Sequence, residues 1–132
     1  MPTPRLNAIG IVADDLPASL AFYRSCGLDI PAEADAAPHV DVALPGGVRL
    51  MFDALTTVHS FDPGWTRAAG GSSPFALAFD CGAPRDVDAV VAALARAGHR
   101  VLHEPWDAFW GHRYASVLDP DGNQVDFYAP LS

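Results

Sequence analysis

One pattern occurs twice in this chain, and a repeat limits the fold more strongly than any single motif. In the first half an apolar run, Ile9 to Val12, meets Ala13-Asp14-Asp15, and a helical stretch follows from Leu16 to Cys26 and stops at Gly27. In the second half Phe75 to Phe79 is apolar, Asp80 to Pro84 is a break, and Arg85 to Ala97 reads as a helix that stops at Gly98. Each half then closes with a turn and a strand: Leu44-Pro-Gly-Gly-Val-Arg-Leu-Met-Phe52 against Leu118-Asp-Pro-Asp-Gly-Asn-Gln-Val-Asp-Phe127. Setting Gly47 on Gly122 places Met51 on Asp126 and Phe52 on Phe127. A half of roughly 60 residues buries too little surface to be stable alone, so the halves are expected to share one core. With 132 residues, 50% of them hydrophobic, the chain has the material for it.

The elements follow from local chemistry. Leu6 to Val12 is mostly apolar and reads as a buried strand. Asp14 or Asp15 can cap the next helix, Pro17 suits its first turn, and Leu16, Leu20 and Tyr23 recur at helical spacing. Asp29 to Ala37 is a connection bearing Pro and Ala, and His39 to Leu44 alternates as a half-exposed strand. Pro45-Gly46-Gly47 turns it into a strand from Val48 to Asp53, a hairpin. Residues 55–72 read as a polar loop holding His59, Phe61 and Trp65. Asp86 or Asp88 begins the second helix, with Val87, Val90, Val91 and Leu94 on one face. A strand over Arg100 to His103, a loop over Glu104 to Gly111 with Trp106, Phe109 and Trp110, and strands over Tyr114 to Leu118 and Gln124 to Tyr128 complete the chain. Between the last two strands, Asp119-Pro-Asp-Gly-Asn123 has the residues a tight turn needs. The expected fold class is α+β, one domain of two βαβββ modules at 4–54 and 73–130 joined by the loop 55–72.

A net charge of −8 argues against nucleic acid or an anionic membrane as partner, because both demand a basic face. Such acidity also serves solubility. All eight basic residues are Arg and Ala is abundant, a composition that hints at a bacterial genome rich in G and C. Cys26 and Cys81 make no metal-ligand spacing or disulfide framework, and no apolar run approaches a signal sequence or membrane span. A cytoplasmic protein is expected.

Asp15-Leu-Pro-Ala-Ser-Leu-Ala-Phe-Tyr23 with Gly27-Leu28, and Trp110-Gly-His-Arg-Tyr-Ala115 with Asp119-Pro-Asp-Gly-Asn-Gln-Val-Asp126, resemble the vicinal oxygen chelate superfamily. That superfamily includes glyoxalase I, extradiol dioxygenases, fosfomycin-modifying enzymes and bleomycin-binding resistance proteins. The resemblance implies paired modules whose mixed sheets curl into cups, and a homodimer. It also implies a divalent metal held from four places, the first and last strands of each module. The repeat alignment puts these at Ala8, Met51, Pro74 or Phe75, and Asp126, of which only Asp126 can be a ligand. One carboxylate cannot hold a catalytic metal, so no metal and no other cofactor is expected. An unusual site from His39, Asp41 and His112 is the alternative.

What remains is an aromatic and polar cup of Trp65, Trp106, Trp110, Tyr114 and Phe52, with His39, Asp41, His112 and Asp126 as polar candidates. Aromatic faces bind planar or cationic ligands by stacking and cation–π contact, and Glu104, Asp41, Asp53 and Asp126 add negative potential. Trp106 and Trp110 are equally suited to packing a loop or a dimer interface. Asp126 either hydrogen-bonds a ligand or accepts bonds from Arg113 or backbone. The chain is most similar to the metal-free bleomycin-resistance branch, which sequesters a basic aromatic drug unchanged. The expected function is metal-independent binding of a small aromatic or cationic molecule, with antibiotic sequestration as one use. The alternative is a glyoxalase-like lyase, isomerase or dioxygenase-related enzyme in which His112, Asp126 or His39 moves a proton.

Overall fold

A computed structural model describes residues 2–68 and 72–132. Strands β1 (Ala8–Ala13), β2 (His39–Ala43) and β3 (Arg49–Ala54) form one mixed sheet in the order β1-β3-β2. Strands β4 (Ala76–Asp80), β5 (Val101–Asp107), β6 (His112–Leu118) and β7 (Gln124–Pro130) form a second in the order β4-β7-β6-β5. In both, the first strand pairs parallel with the last, β1 with β3 and β4 with β7, and the other pairings are antiparallel. The repeat is therefore a structural one. Helix α1 (Leu16–Ser25) follows β1 and helix α3 (Pro84–Arg96) follows β4.

Asp15 caps α1, its side chain accepting from the Ala18 N–H at 3.1 Å, and Pro17 occupies the first turn. Helix α3 begins earlier than the two acidic residues suggest: Pro84 starts it, Ala83 is a cap without a side-chain bond, and Asp86 lies in the first turn. There its charge favours the positive end of the helix.

Each sheet is covered on one face. Ile11, Ala13, Val40, Val42, Leu50 and Phe52 of the first sheet join Leu16, Leu20, Phe22 and Tyr23 of α1 in the core. The second sheet contributes Ala115, Val117, Val125, Phe127 and Ala129 beneath Val87, Val91 and Leu94 of α3. These residues form one cluster, because α1 packs on α3 and Phe22 meets His99 edge-on at 4.8 Å. His99, one residue past Gly98, is thus part of the seam between the halves. Polar ties reinforce the seam. The Tyr23 hydroxyl donates to Asp119 at 2.7 Å, Ser19 donates to Asp121 at 3.0 Å, and Arg67 bridges Asp14 at 2.9 Å and Asp121 at 3.5 Å.

Four elements differ from expectation. Strand β1, expected as a buried strand over Leu6 to Val12, begins at Ala8 and is an edge strand that leaves Leu6 and Ile9 exposed. The first sheet has three strands, because Ala32–Ala36 forms a 3-10 turn where the second half has β5. That stretch, bracketed by Pro31 and Pro38, has no β-branched residues, so little favours a strand there. Leu55–Phe61 of the expected loop 55–72 is a helix, α2, which buries Val58 and packs on β1 and β3. Residues 69–71 of that loop lie outside the described residues. Strand β5 runs to Asp107, through residues that read as loop; its irregular register and Pro105 are tolerated because it is an edge strand. Among the described residues no helix is long and apolar enough to cross a membrane.

Candidate functional site

Alternation along β6 and β7 divides their residues between the two faces. With Ala115, Val117, Val125, Phe127 and Ala129 turned to α3, the open face carries His112, Tyr114, Ser116, Gln124, Asp126 and Tyr128. The register sets Ser116 opposite Asp126 and Tyr114 opposite Tyr128. Asp126 is 7% exposed and accepts from the Ser116 hydroxyl at 2.7 Å, from the Gln124 amide at 3.0 Å and from the Tyr114 hydroxyl. All three donors are neutral, and they occupy most of what a carboxylate can accept. Arg113, which the sequence offers as a partner, is on the other face, bonded to Asp88 and Asp107. Burial first, and then the hydrogen bond and charge of Asp126, push the Tyr114 phenol up to about 12. It remains a donor at neutral pH.

Beside this floor stands an aromatic corner. The register places Trp106 of β5 opposite Tyr114. The chain then reverses through Gly111, whose φ of +95° is open to glycine, and Trp110 comes back over the strands. Trp110 lies edge-on to Trp106 (5.6 Å, 89°) and to Tyr114 (5.2 Å, 76°). These three rings, with Leu102, His103 and Glu104, line an open cleft of about 490 Å³. Trp106 is 42% and Trp110 45% exposed, so neither is consumed by packing within the chain.

The open face of the first sheet is different in kind. His39 Nδ1 lies 2.5 Å from Asp53 and its Nε2 3.4 Å from Asp41, which also accepts from Arg49 at 3.0 Å. The hydrogen bond to Asp53 is the main cause of a raised His39 pKa, opposed by partial desolvation and aided by Asp41. Cross-strand pairs of this sort hold a hairpin in register.

The family's metal does not fit these residues. Ala8 and Pro74 or Phe75, the positions that the repeat suggests, carry no ligand, and neither do Gly10 and Ala78, which the strand register sets beside Met51 and Asp126. Asp126 already serves three donors. His39 and Asp41 lie on the first sheet, whereas His112 lies on the second and packs on Tyr128 at 5.1 Å. Among the described residues, no three His, Cys, Asp or Glu side chains converge as a metal site.

Of the residues singled out in the sequence, Trp106, Trp110 and Tyr114 meet in the cleft and Asp126 lies one hydrogen bond behind it. His112 shares their sheet face without lining the cleft. Phe52 is a correction: because Met51 and Asp53 face outward, Phe52 must face α1, and it is fully buried against Tyr23 at 5.1 Å. Trp65 is another: it follows α2, lies under the Arg67 guanidinium at 5.4 Å, and its carbonyl accepts from His59 at 3.0 Å, apart from the cleft lining. Sequence reasoning misses Ser116 and Gln124, although each sits at strand parity with Tyr114 or Asp126. It misses Leu102 and His103, which lie within the strand read over Arg100 to His103, because the register shifts of β5 decide which of its residues reach the cleft.

The family model described as Glyoxalase/Bleomycin resistance protein/Dioxygenase superfamily matches residues 5–127. No curated protein matches the chain. Among solved structures, a glyoxalase/bleomycin resistance protein/dioxygenase family enzyme from Burkholderia phytofirmans PsJN aligns with a TM-score of 0.80 at 22% identity, over 97% of this chain and 100% of that one. A glyoxalase-related enzyme from Fulvimarina pelagi gives 0.75 at 21% identity, over 96% and 88% of the two chains. A lactoylglutathione lyase from Agrobacterium tumefaciens gives 0.61 at 22%, over 98% and 96%. At such identities the likeness speaks for the fold.

Proposed function

Because the chain belongs to the glyoxalase/bleomycin resistance protein/dioxygenase superfamily, we propose that it binds a small molecule without a metal, holding it in the aromatic cleft of the second sheet. The observation that carries this is the state of Asp126. It is the one carboxylate at the family's ligand positions, and neutral donors from Tyr114, Ser116 and Gln124 hold it. A carboxylate so satisfied would have to give up hydrogen bonds to take a cation, while its neighbouring rings stand free. The acidic, aromatic lining suits the cationic group of a basic drug, so antibiotic sequestration is the physiological use we infer.

In this function the protein acts as a cytoplasmic homodimer. Among the described residues the outer edges of β1 and β4 are unpaired, and Ile9 on β1 and Leu6 and Phe75 just before the two strands are exposed, which favours pairing with another copy. Cys26 and Cys81 are free thiols, as a reducing compartment keeps them.

A second reading is an enzyme that moves a proton. Asp53 fixes one nitrogen of His39 and the other lies 3.4 Å from Asp41 on the open face, and a histidine held between carboxylates is an arrangement used in general acid–base catalysis.

Metal content and thermal shifts, measured on one purified sample against polycyclic and glycopeptide antibiotics, test the proposal. Metal well below one equivalent with a ligand-dependent rise in Tm is expected, since a ligand of the folded state stabilises it. Stoichiometric metal whose removal abolishes the shift would refute it.

A further inference from the structure

The relative orientation of the cleft's rings narrows the ligand chemistry. A flat ligand is held best between parallel rings. Here Trp106 and Trp110 are 89° apart, and Trp110 and Tyr114 76° apart, so the planes make a corner. A corner gives a rounded group contact with more than one ring at once, and a ring face attracts positive charge. Glu104 stands on the same wall, and the Tyr114 hydroxyl is spent on Asp126. With Leu102 also in the lining, the surface suits methyl or methylene groups around a cationic nitrogen more than an ammonium that needs several acceptors.

Among the described residues, no cation of the chain itself stands over the rings of this corner. Arg113 is engaged by Asp88 and Asp107, Arg24 by Asp35 and Arg49 by Asp41, and the cation–π contact among the described residues is Arg67 on Trp65. A volume of about 490 Å³ exceeds one alkylated ammonium group and leaves room for the rest of a larger ligand.

We propose that the corner of Trp106, Trp110 and Tyr114 is a subsite for an alkylated ammonium group, with the rings as its walls and Glu104 as its countercharge. The proposal rests on the small-molecule-binding function above and specifies the head group that the ligand carries.

Choline and its neutral isostere 3,3-dimethylbutan-1-ol differ in charge at nearly constant shape, so their titration into the full chain, followed by tryptophan fluorescence and calorimetry, isolates the cation. Choline should bind at least ten-fold more tightly than the alcohol. Trp106→Leu and Trp110→Leu, which keep apolar area but remove the ring, should each erase most of that preference while leaving weak alcohol binding. Glu104→Gln should weaken choline alone, by about three-fold or more. Equal binding of the two probes, binding of neither, or a preference unchanged in both tryptophan variants overturns the proposal. All three substituted residues are exposed, so circular dichroism and Tm should stay near the parent's and verify folding. If a planar neutral compound shifts Tm while choline shows no advantage, the subsite is refuted and the binding function stands. Stoichiometric metal beside a choline preference gives the reverse.

Discussion

Removing one oxygen atom from the seam between the modules should destabilise the whole domain. Tyr23 is fully buried, and its hydroxyl donates to Asp119 at 2.7 Å, joining α1 of one half to the β6–β7 turn of the other. The Asp119 carboxylate also accepts from the backbone of Asp121 and Asn123 and from the Asn123 amide, at 2.8 to 2.9 Å. Tyr23→Phe keeps the ring contacts with Phe22 at 5.0 Å and Phe52 at 5.1 Å and deletes only the bond to a charged acceptor. Such bonds contribute about 1.5–3 kcal/mol. The Asn123 amide still serves the same oxygen, so the lower part of that range, ~1.5–2 kcal/mol, is expected. With roughly 2.1 cal/mol/K of unfolding entropy per residue, this lowers Tm by about 5–7 °C.

The test is urea unfolding of parent and variant at several pH values. Burial, then the charge and hydrogen bond of Asp119, hold the Tyr23 phenol far above its usual range. A folded-state pKa raised above the unfolded value gives stability that is complete below about 10 and lost as pH rises past it. The two stability curves should therefore be parallel near neutrality and converge above about pH 10. A difference below about 0.5 kcal/mol, or one that stays constant up to about pH 11, would refute the assignment of this bond as the tie between modules.

Burial pushes the Cys26 thiol up to about 12 from 9.0, so its thiolate at pH 8 is roughly a thousand-fold scarcer than an ordinary thiol's; iodoacetamide should label it at least a hundred-fold faster in urea than in the native protein, as peptide mass spectrometry can read. His39 should titrate above 6.5 by NMR, and Asp53→Asn should bring it back down because the Asp53 hydrogen bond is the main cause of the shift. The His39 contribution to stability is complete below about 6.5 and fades as pH rises through the folded value, a trend that His39→Asn should abolish in pH-dependent melts. Gly122 has φ +87°, and a Cβ added there would meet nothing within 4 Å, so Gly122→Ala should cost about 1–2 kcal/mol in urea melts through backbone strain alone.

The halves' correspondence is legible in the sequence because backbone geometry enforces it. Gly47 and Gly122, the residues on which the repeat is aligned, both hold φ of +87°, and Gly27 and Gly98 end α1 and α3 at +100° and +93°. No other residue takes such values cheaply, so these positions mark the same turns in both halves. The illegible parts are those decided by tertiary context. Leu55-Thr-Thr-Val-His-Ser-Phe61 holds two Thr and a Val and has little helical preference of its own, yet it is a helix because Val58 finds a place against the first sheet. Phe52 is misplaced in the cup by strand parity, since one step along a strand exchanges core for open face. Trp106 and Trp110 are visible as residues; that they meet Tyr114 as a corner depends on where a bulged edge strand sets its register.

The two sheets also differ in what constrains their faces. Helix-facing positions of both halves must fill one shared core, so they stay apolar and keep the repeat recognisable: Leu50 and Phe52 answer to Val125 and Phe127. Open faces carry no such demand within the chain. One holds the ion network of His39, Asp41, Arg49 and Asp53, the other the rings around a carboxylate bound by neutral donors. Met51 and Asp126 occupy equivalent places on equivalent strands and face the same way, yet one is a thioether and the other a carboxylate. Packing thus preserves the fold on one side of each sheet, while on the other side ligand chemistry is free to differ between halves. Substitutions at the exposed Trp106 and Trp110 should accordingly change binding in the proposed cleft with small effects on Tm, whereas those at Tyr23 or Phe127 should do the opposite.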